Sequence, residues 1–191
     1  RVYQRQIAPT EFTHAFYAIS SYSQLELAKE FDAVSFGWSR MTCGAVGPYL
    51  ETTSAGGNEY AIPSGYEEPV TVLREAGVKL HLSVFMDNAT GELSALLADP
   101  AYRTAAVEAI LAELSRPYEA LGENPYSGVT LDFEGLRGAQ RENYTQFLTE
   151  LEAALTAGWT RHCTCACLRC YSPAATTTAM TTRPSGSWRI K

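Results

Sequence analysis

An α/β fold is predicted: a (β/α)8 TIM barrel of which only the N-terminal half, about four βα units, is present. Three observations predict it. Strand-like and helix-like segments alternate four times, which favours parallel strands with helical crossovers. The fourth strand, in SGVTLDFEGL at 127–136, carries apolar side chains on one face and hydroxyl and carboxyl groups on the other. This alternation stops near Gly158 of a 191-residue chain, whereas a complete eight-unit barrel needs roughly 250 residues.

The elements follow in order. AFYAIS (15–20) is a short β-type run, and SQLELAKE (23–30) is helix-prone. DAVSFGW (32–38) is the second strand, followed by a Gly-rich polar loop from Gly44 to Gly65. EEPVTVLREAG (67–77) reads as a helix with Pro69 near its start and Gly77 past its end. In VKLHLSVFMD (78–87), Val78, Leu80, Leu82 and Val84 share one face, and Lys79, His81, Ser83 and Phe85 the other. DPAYRTAAVEAILAELS (99–115) is a helix that Asp99 can cap and Pro100 can start. Val107, Ile110, Leu111 and Leu114 form its apolar stripe. AQRENYTQFLTELEAAL (139–155) is the fourth helix, with Tyr144, Phe147, Leu148, Leu151 and Leu155 on one face.

Side chains at i and i+2 on a strand project to the same side. Thr130, Asp132 and Glu134 therefore share one face, while Val129, Leu131 and Phe133 can pack under helices. Inward acids at the C-terminal end of a barrel strand lie in the active-site mouth. Two neighbouring carboxyls repel, so one tends to keep its proton to higher pH and can act as a general acid. Glu134, nearest the strand end, is the better placed donor, and Asp132 the better placed to orient it. A solvated edge or a carboxylate metal site would carry the same D-x-E pattern.

SGVTLDFEGL resembles the strand-four signature D-G-x-D-x-D-x-E of glycoside hydrolase family 18. Together with FYAIS, VSFGWS, LLADPAYR and the helix containing Tyr144, it looks most like the spore-cortex lytic N-acetylglucosaminidase branch, over residues 13–157. Glu134 matches the catalytic acid and Asp132 the aspartate beside it. Thr130 and Ser127 stand where the two inner aspartates usually are. The resemblance implies hydrolysis of β-1,4-linked N-acetylglucosamine, in peptidoglycan or chitin, by substrate-assisted catalysis with retention. Glu134 would protonate the glycosidic oxygen, and Asp132 would hold the acetamido group. Thr130 can hydrogen-bond Asp132 but cannot share a proton or a charge as an acid would. A non-catalytic carbohydrate-binding relative is the alternative. Trp38, Tyr17 and Phe85 are candidate sugar contacts, Trp38 foremost, with packing in the core or barrel lining as the other reading of each; Asp87 and Asn88 stand at the third strand's end. No metal or other cofactor is expected. His14, His81 and His162 have no acid or nucleophile at motif spacing and are assigned structural roles.

Composition divides the chain into residues 1–158, the N-terminal half of the barrel, and residues 159–191, an aberrant tail. The tail holds five Lys or Arg, no Asp or Glu, seven Thr, and Cys163, Cys165, Cys167 and Cys170. Residues 1–158 carry the other ten basic residues and all 21 acidic ones, a net of −11. A zinc knot with His162 fits only at its last Cys pair, and a redox or disulfide role is a second reading. Out-of-frame translation fits best. One alternative frame is closed by a stop forced at Met180, while the other is open and encodes a β-type run, a turn and a helix-like stretch. The chain alone would then be a poorly folded, inactive fragment with open edges on its first and fourth strands.

The N-terminus, RVYQRQ, has neither Met nor a signal-like apolar run, so a targeting segment is expected upstream. By resemblance the location is extracellular, at a cell wall or spore. The formal net charge of −6 and the lack of a basic stripe argue against nucleic acid. No apolar stretch is long enough to span a membrane. The expected partner is a polysaccharide, and the complete protein is expected to be a monomer.

Overall fold

The computed structural model describes residues 12–158, together with the backbone of three short strands in the tail. The elements are β1 (His14–Tyr17), α1 (Leu25–Ala28), β2 (Ala33–Gly44), β3 (Gly47–Glu51), α2 (Glu67–Glu75), β4 (Lys79–Asp87), α3 (Glu92–Ala98), α4 (Pro100–Ser115), β5 (Gly128–Glu134) and α5 (Arg141–Gly158). The tail strands are β6 (Cys167–Leu168), β7 (Met180–Thr182) and β8 (Trp188–Ile190). Strands β1, β2, β4, β5 and β6 run parallel in that spatial order. They form a curled half-barrel with helices between the strands.

Three features depart from the expected outline. β2 runs on to Gly44 and turns back as the antiparallel β3, so the expected loop begins with a hairpin. A helix, α3, lies between β4 and α4, where no helix is expected. β6 pairs with β5 at Thr130 and Leu131, so the fourth expected strand is partnered at two residues. Cys163, Cys165, Cys170 and His162 lie outside the described residues.

The helix-facing side of the sheet makes the core. Val34, Phe36, Leu80, Leu82, Val84, Val129 and Leu131 are completely buried there. Val70 and Leu73 of α2, Leu96 and Leu97 of α3, Ile110 of α4, and Phe147 and Leu151 of α5 pack against them. Each such side chain contributes about 1.5–3 kcal/mol on burial. Phe133 stacks on Phe147 with centroids 5.7 Å apart, which seats α5 over β5. α4 starts as its sequence dictates: the Asp99 carboxylate accepts the Ala101 N–H at 2.8 Å, and Pro100 follows it.

Two charged side chains of α4 are buried, Arg103 and Glu113. Arg103 of α4 donates through Nε and Nη2 to the Glu150 carboxylate of α5 at 2.9 and 3.1 Å. Its Nη1 donates to the Leu97 carbonyl in α3 at 2.9 Å. The guanidinium holds the Glu150 carboxyl below the usual carboxylate range.

Candidate active site

The other side of the sheet faces the barrel interior. His14 of β1, Ser35 of β2, His81 of β4 and Thr130 of β5 project to its floor. His14 Nε2 is 2.7 Å from Ser35 Oγ, and Ser35 Oγ is 2.7 Å from Thr130 Oγ1. Thr130 Oγ1 in turn is 3.3 Å from His81 Nδ1. The two imidazoles meet edge to face with centroids 5.1 Å apart. Ser35, His81 and Thr130 are fully buried.

His81 Nε2 has no hydrogen-bond partner, and this sets the direction of the chain. If donation runs from His81 Nδ1–H through Thr130 and Ser35 to His14 Nε2, every hydroxyl both donates and accepts. Nε2 is then a bare lone pair. The reverse direction would bury an N–H with nothing to receive it, which is the costlier arrangement. The imidazole ring lies over Gly128, where an added Cβ would come within 2.7 Å of Nε2. Gly128→Ala is therefore expected to lower stability by about 1–3 kcal/mol, because the surrounding floor is close-packed. Urea unfolding checks it, and an unchanged midpoint would show that the ring can shift away.

Burial, then the nearby His14 and Lys79, push His81 down to about 3. Burial also pushes His14 down. Both groups take up protons more readily in the unfolded chain, so stability must fall as pH drops below the ordinary imidazole range near 6.5. For His81 the loss is about 1.4 kcal/mol per pH unit, and it continues until its folded value is reached. Stability measured between pH 6.5 and 5 should show this slope. His81→Asn should reduce the slope, and an equal slope in that variant would assign the acid sensitivity elsewhere.

The mouth lies one to two layers above the floor. Phe85 is the register partner of Asp132, and Asp87 of Glu134. Asp132 is half-buried and Glu134 exposed, with both on the same face as Thr130. Gly135, at φ +72°, ends the strand in a backbone region that other residues rarely adopt. Arg40 of β2 donates through Nη2 to Asp87 Oδ2 at 2.8 Å, and its guanidinium carbon is 5.3 Å from the Phe85 ring centre. Tyr60, between β3 and α2, stacks on Phe85 with centroids 4.1 Å apart and planes 8° from parallel. Burial, then the fields of Asp132 and Glu134, push the Tyr60 phenol up, so it remains a donor.

The structure brings Thr130, Asp132, Glu134 and Phe85 to the interior face, but it covers Phe85 with Tyr60. Asn88 follows β4, and its Oδ1 accepts the Ser94 N–H at 2.9 Å. Tyr17 and Trp38 are not brought to this face. Tyr17 packs edge-on against Phe36 and is 3% exposed. Trp38 is 2% exposed, stacks on Phe36 at 4.1 Å and meets Tyr66 edge-on. Plain strand alternation is the reason: Tyr17 of β1 is the register partner of Phe36, and Trp38 lies two residues from Phe36 on the same side of the sheet. Phe36 pairs with Leu82 but Ser39 pairs with Val84, so β2 carries one extra residue. The bulge at that point shifts the phase of the strand beyond Trp38 and so turns Arg40 to the mouth.

Sequence reasoning missed Arg40, Tyr60 and the His14–Ser35–Thr130–His81 chain. The alternation of β4 already puts His81 on the face of Ser83 and Phe85, which is the available signal. Arg40 is hidden by the bulge, and Tyr60 by a loop with no periodicity. Among the described residues no group of three or more His, Cys, Asp or Glu could hold a metal ion.

No family model and no curated protein matches the chain. Solved structures do match in fold. The catalytic domain of psychrophilic chitinase B from Arthrobacter TAD20 superposes with a TM-score of 0.58 at 14% identity, covering 83% of this chain and 51% of that one. The Bacillus cereus spore cortex-lytic enzyme SleL gives 0.54 at 13% identity, covering 83% and 34%. A GH18 chitinase from Cycas revoluta, solved in complex with (GlcNAc)4, gives 0.50 at 17% identity, covering 83% and 45%. The chain thus spans about half or less of the length of these neighbours, and what it shares with them is the fold.

Proposed function

We propose that Asp132 and Glu134 are the acid pair of a glycosidase acting on β-1,4-linked N-acetylglucosamine, in peptidoglycan or chitin. The observation that carries this reading is the shared projection of Thr130, Asp132 and Glu134 at the C-terminal end of β5, on the interior face of a half-barrel. Fold neighbours named as chitinases and a cortex-lytic enzyme support it. Glu134 is the open, terminal acid and protonates the glycosidic oxygen. Asp132, deeper and flanked by Tyr60, holds the acetamido group while its oxygen attacks the anomeric carbon, which gives retention. On β5 the position below Asp132 is Thr130, a hydroxyl where the resemblance leads one to expect an acid.

Catalysis on this reading needs a second wall to enclose the sugar, and we assign the 191-residue chain by itself ligand binding without turnover. A complete barrel containing these residues should release the β-anomer first from a β-linked N-acetylglucosamine tetramer, as seen by proton NMR, and should do so equally with EDTA present. Release of the α-anomer removes the substrate-assisted mechanism, and abolition by EDTA removes the metal-free one. Turnover by the 191-residue chain would remove the need for a second wall. A non-catalytic sugar-binding role is the second reading, favoured by the hydroxyl of Thr130 where the resemblance leads one to expect an acid. Binding without turnover by the complete barrel would select it.

A further inference from the structure

The ring that covers Phe85 comes from outside the strand ends, and it is firmly held. The Asn58 side-chain N–H group donates to the carbonyls of Thr53 at 2.9 Å and Tyr60 at 3.1 Å. Asn58 Oδ1 accepts the Tyr60 N–H at 3.1 Å. Two residues on, the Ile62 N–H bonds the Thr52 carbonyl at 2.9 Å. These contacts clamp the segment on both sides of Tyr60, so its ring is placed by its own loop rather than by chance packing. The ring is half-buried, and part of it remains accessible above the layer of Phe85 and Asp132.

We infer that Tyr60 contacts the ligand: its ring is the side wall for a pyranose held over Asp132 and Glu134, and its phenol O–H donates to an acceptor oxygen of that sugar. This rests on the glycan reading above. Pyranoses combine an apolar C–H face with a rim of hydroxyls, and a Tyr side chain offers a matching apolar face and polar tip. The phenol is held protonated beside two carboxyls, so it supplies the uncharged donor that an acid pair cannot supply once ionised. Arg40, tied to Asp87, leaves this role to Tyr60 on the same side of the mouth.

The 191-residue chain is titrated calorimetrically with the N-acetylglucosamine tetramer as wild type, Tyr60→Phe and Tyr60→Ala, with melting midpoint and near-UV circular dichroism recorded for each. Saturable wild-type binding is expected. Tyr60→Phe keeps the stack on Phe85 and should weaken binding about threefold to tenfold with an unchanged midpoint. Tyr60→Ala should weaken it about tenfold or more. Equal affinity in Tyr60→Phe removes the donor role. Tighter binding by Tyr60→Ala would make the ring a cover over Phe85 and overturn the inference, while the glycan reading stands. A folded wild type that does not bind the tetramer takes down both. If Tyr60→Ala loses its near-UV signal, Tyr60→Phe decides.

Discussion

Replacing Glu134 by glutamine is expected to slow hydrolysis of N-acetylglucosamine oligomers by about 10²–10⁴-fold in a complete barrel carrying these residues. Glutamine keeps the shape and the acceptor oxygen of glutamate but has no acidic proton to give. Glu134 is exposed at the end of β5, and its backbone is fixed by the ladder to Asp87. The fold and the ligand affinity should therefore hold, with binding changed by less than about threefold. The measurement is kcat alongside the dissociation constant for the tetramer. A variant with near wild-type turnover would transfer the proton donor to another group and dissolve the acid pair.

The second large effect is on stability. Arg103→Ala should cost about 3 kcal/mol of unfolding free energy, because it removes a buried guanidinium from a half-buried carboxylate and an α3 carbonyl at once. The side chain of Arg103 is 9% exposed and that of Glu150 is 31% exposed, so solvent screens the pair only in part. Lysine should not rescue it, since a point charge cannot serve two oxygens of one carboxylate and a carbonyl in a third direction. Urea unfolding of the wild type, Arg103→Ala, Glu150→Gln and the double variant gives the coupling directly. A loss below about 0.5 kcal/mol would place the pair among ordinary surface contacts.

How far these groups could be read from the chain differs by physical cause. β4 and β5 were legible because strict alternation forces one face to be apolar and the other to carry His81, Thr130, Asp132 and Glu134. α4 was legible from its cap, as Asp99 and Pro100 have local reasons to begin a helix. α3 was not, because seven residues are too few to show a period. β3 was not, because a hairpin built from polar and glycine-rich residues looks like the loop that follows it. Arg103 showed only a charged residue on a helix, and its burial depends on where Glu150 and Leu97 end up. The direction of Arg40 could not be read, since it hangs on the register shift in β2, whereas Trp38 follows Phe36 by plain alternation.

That shift has an evolutionary side. The register shift falls at Gly37 and Trp38, and a side-chain carbon added at Gly37 would meet nothing within 4 Å. Losing one residue there would restore regular pairing with Arg40 still opposite Phe85, and would turn Trp38 to the interior face of the sheet. One deletion would thus exchange internal cohesion for a new aromatic surface, so the repertoire of the pocket can change in one genetic step without any amino acid being replaced.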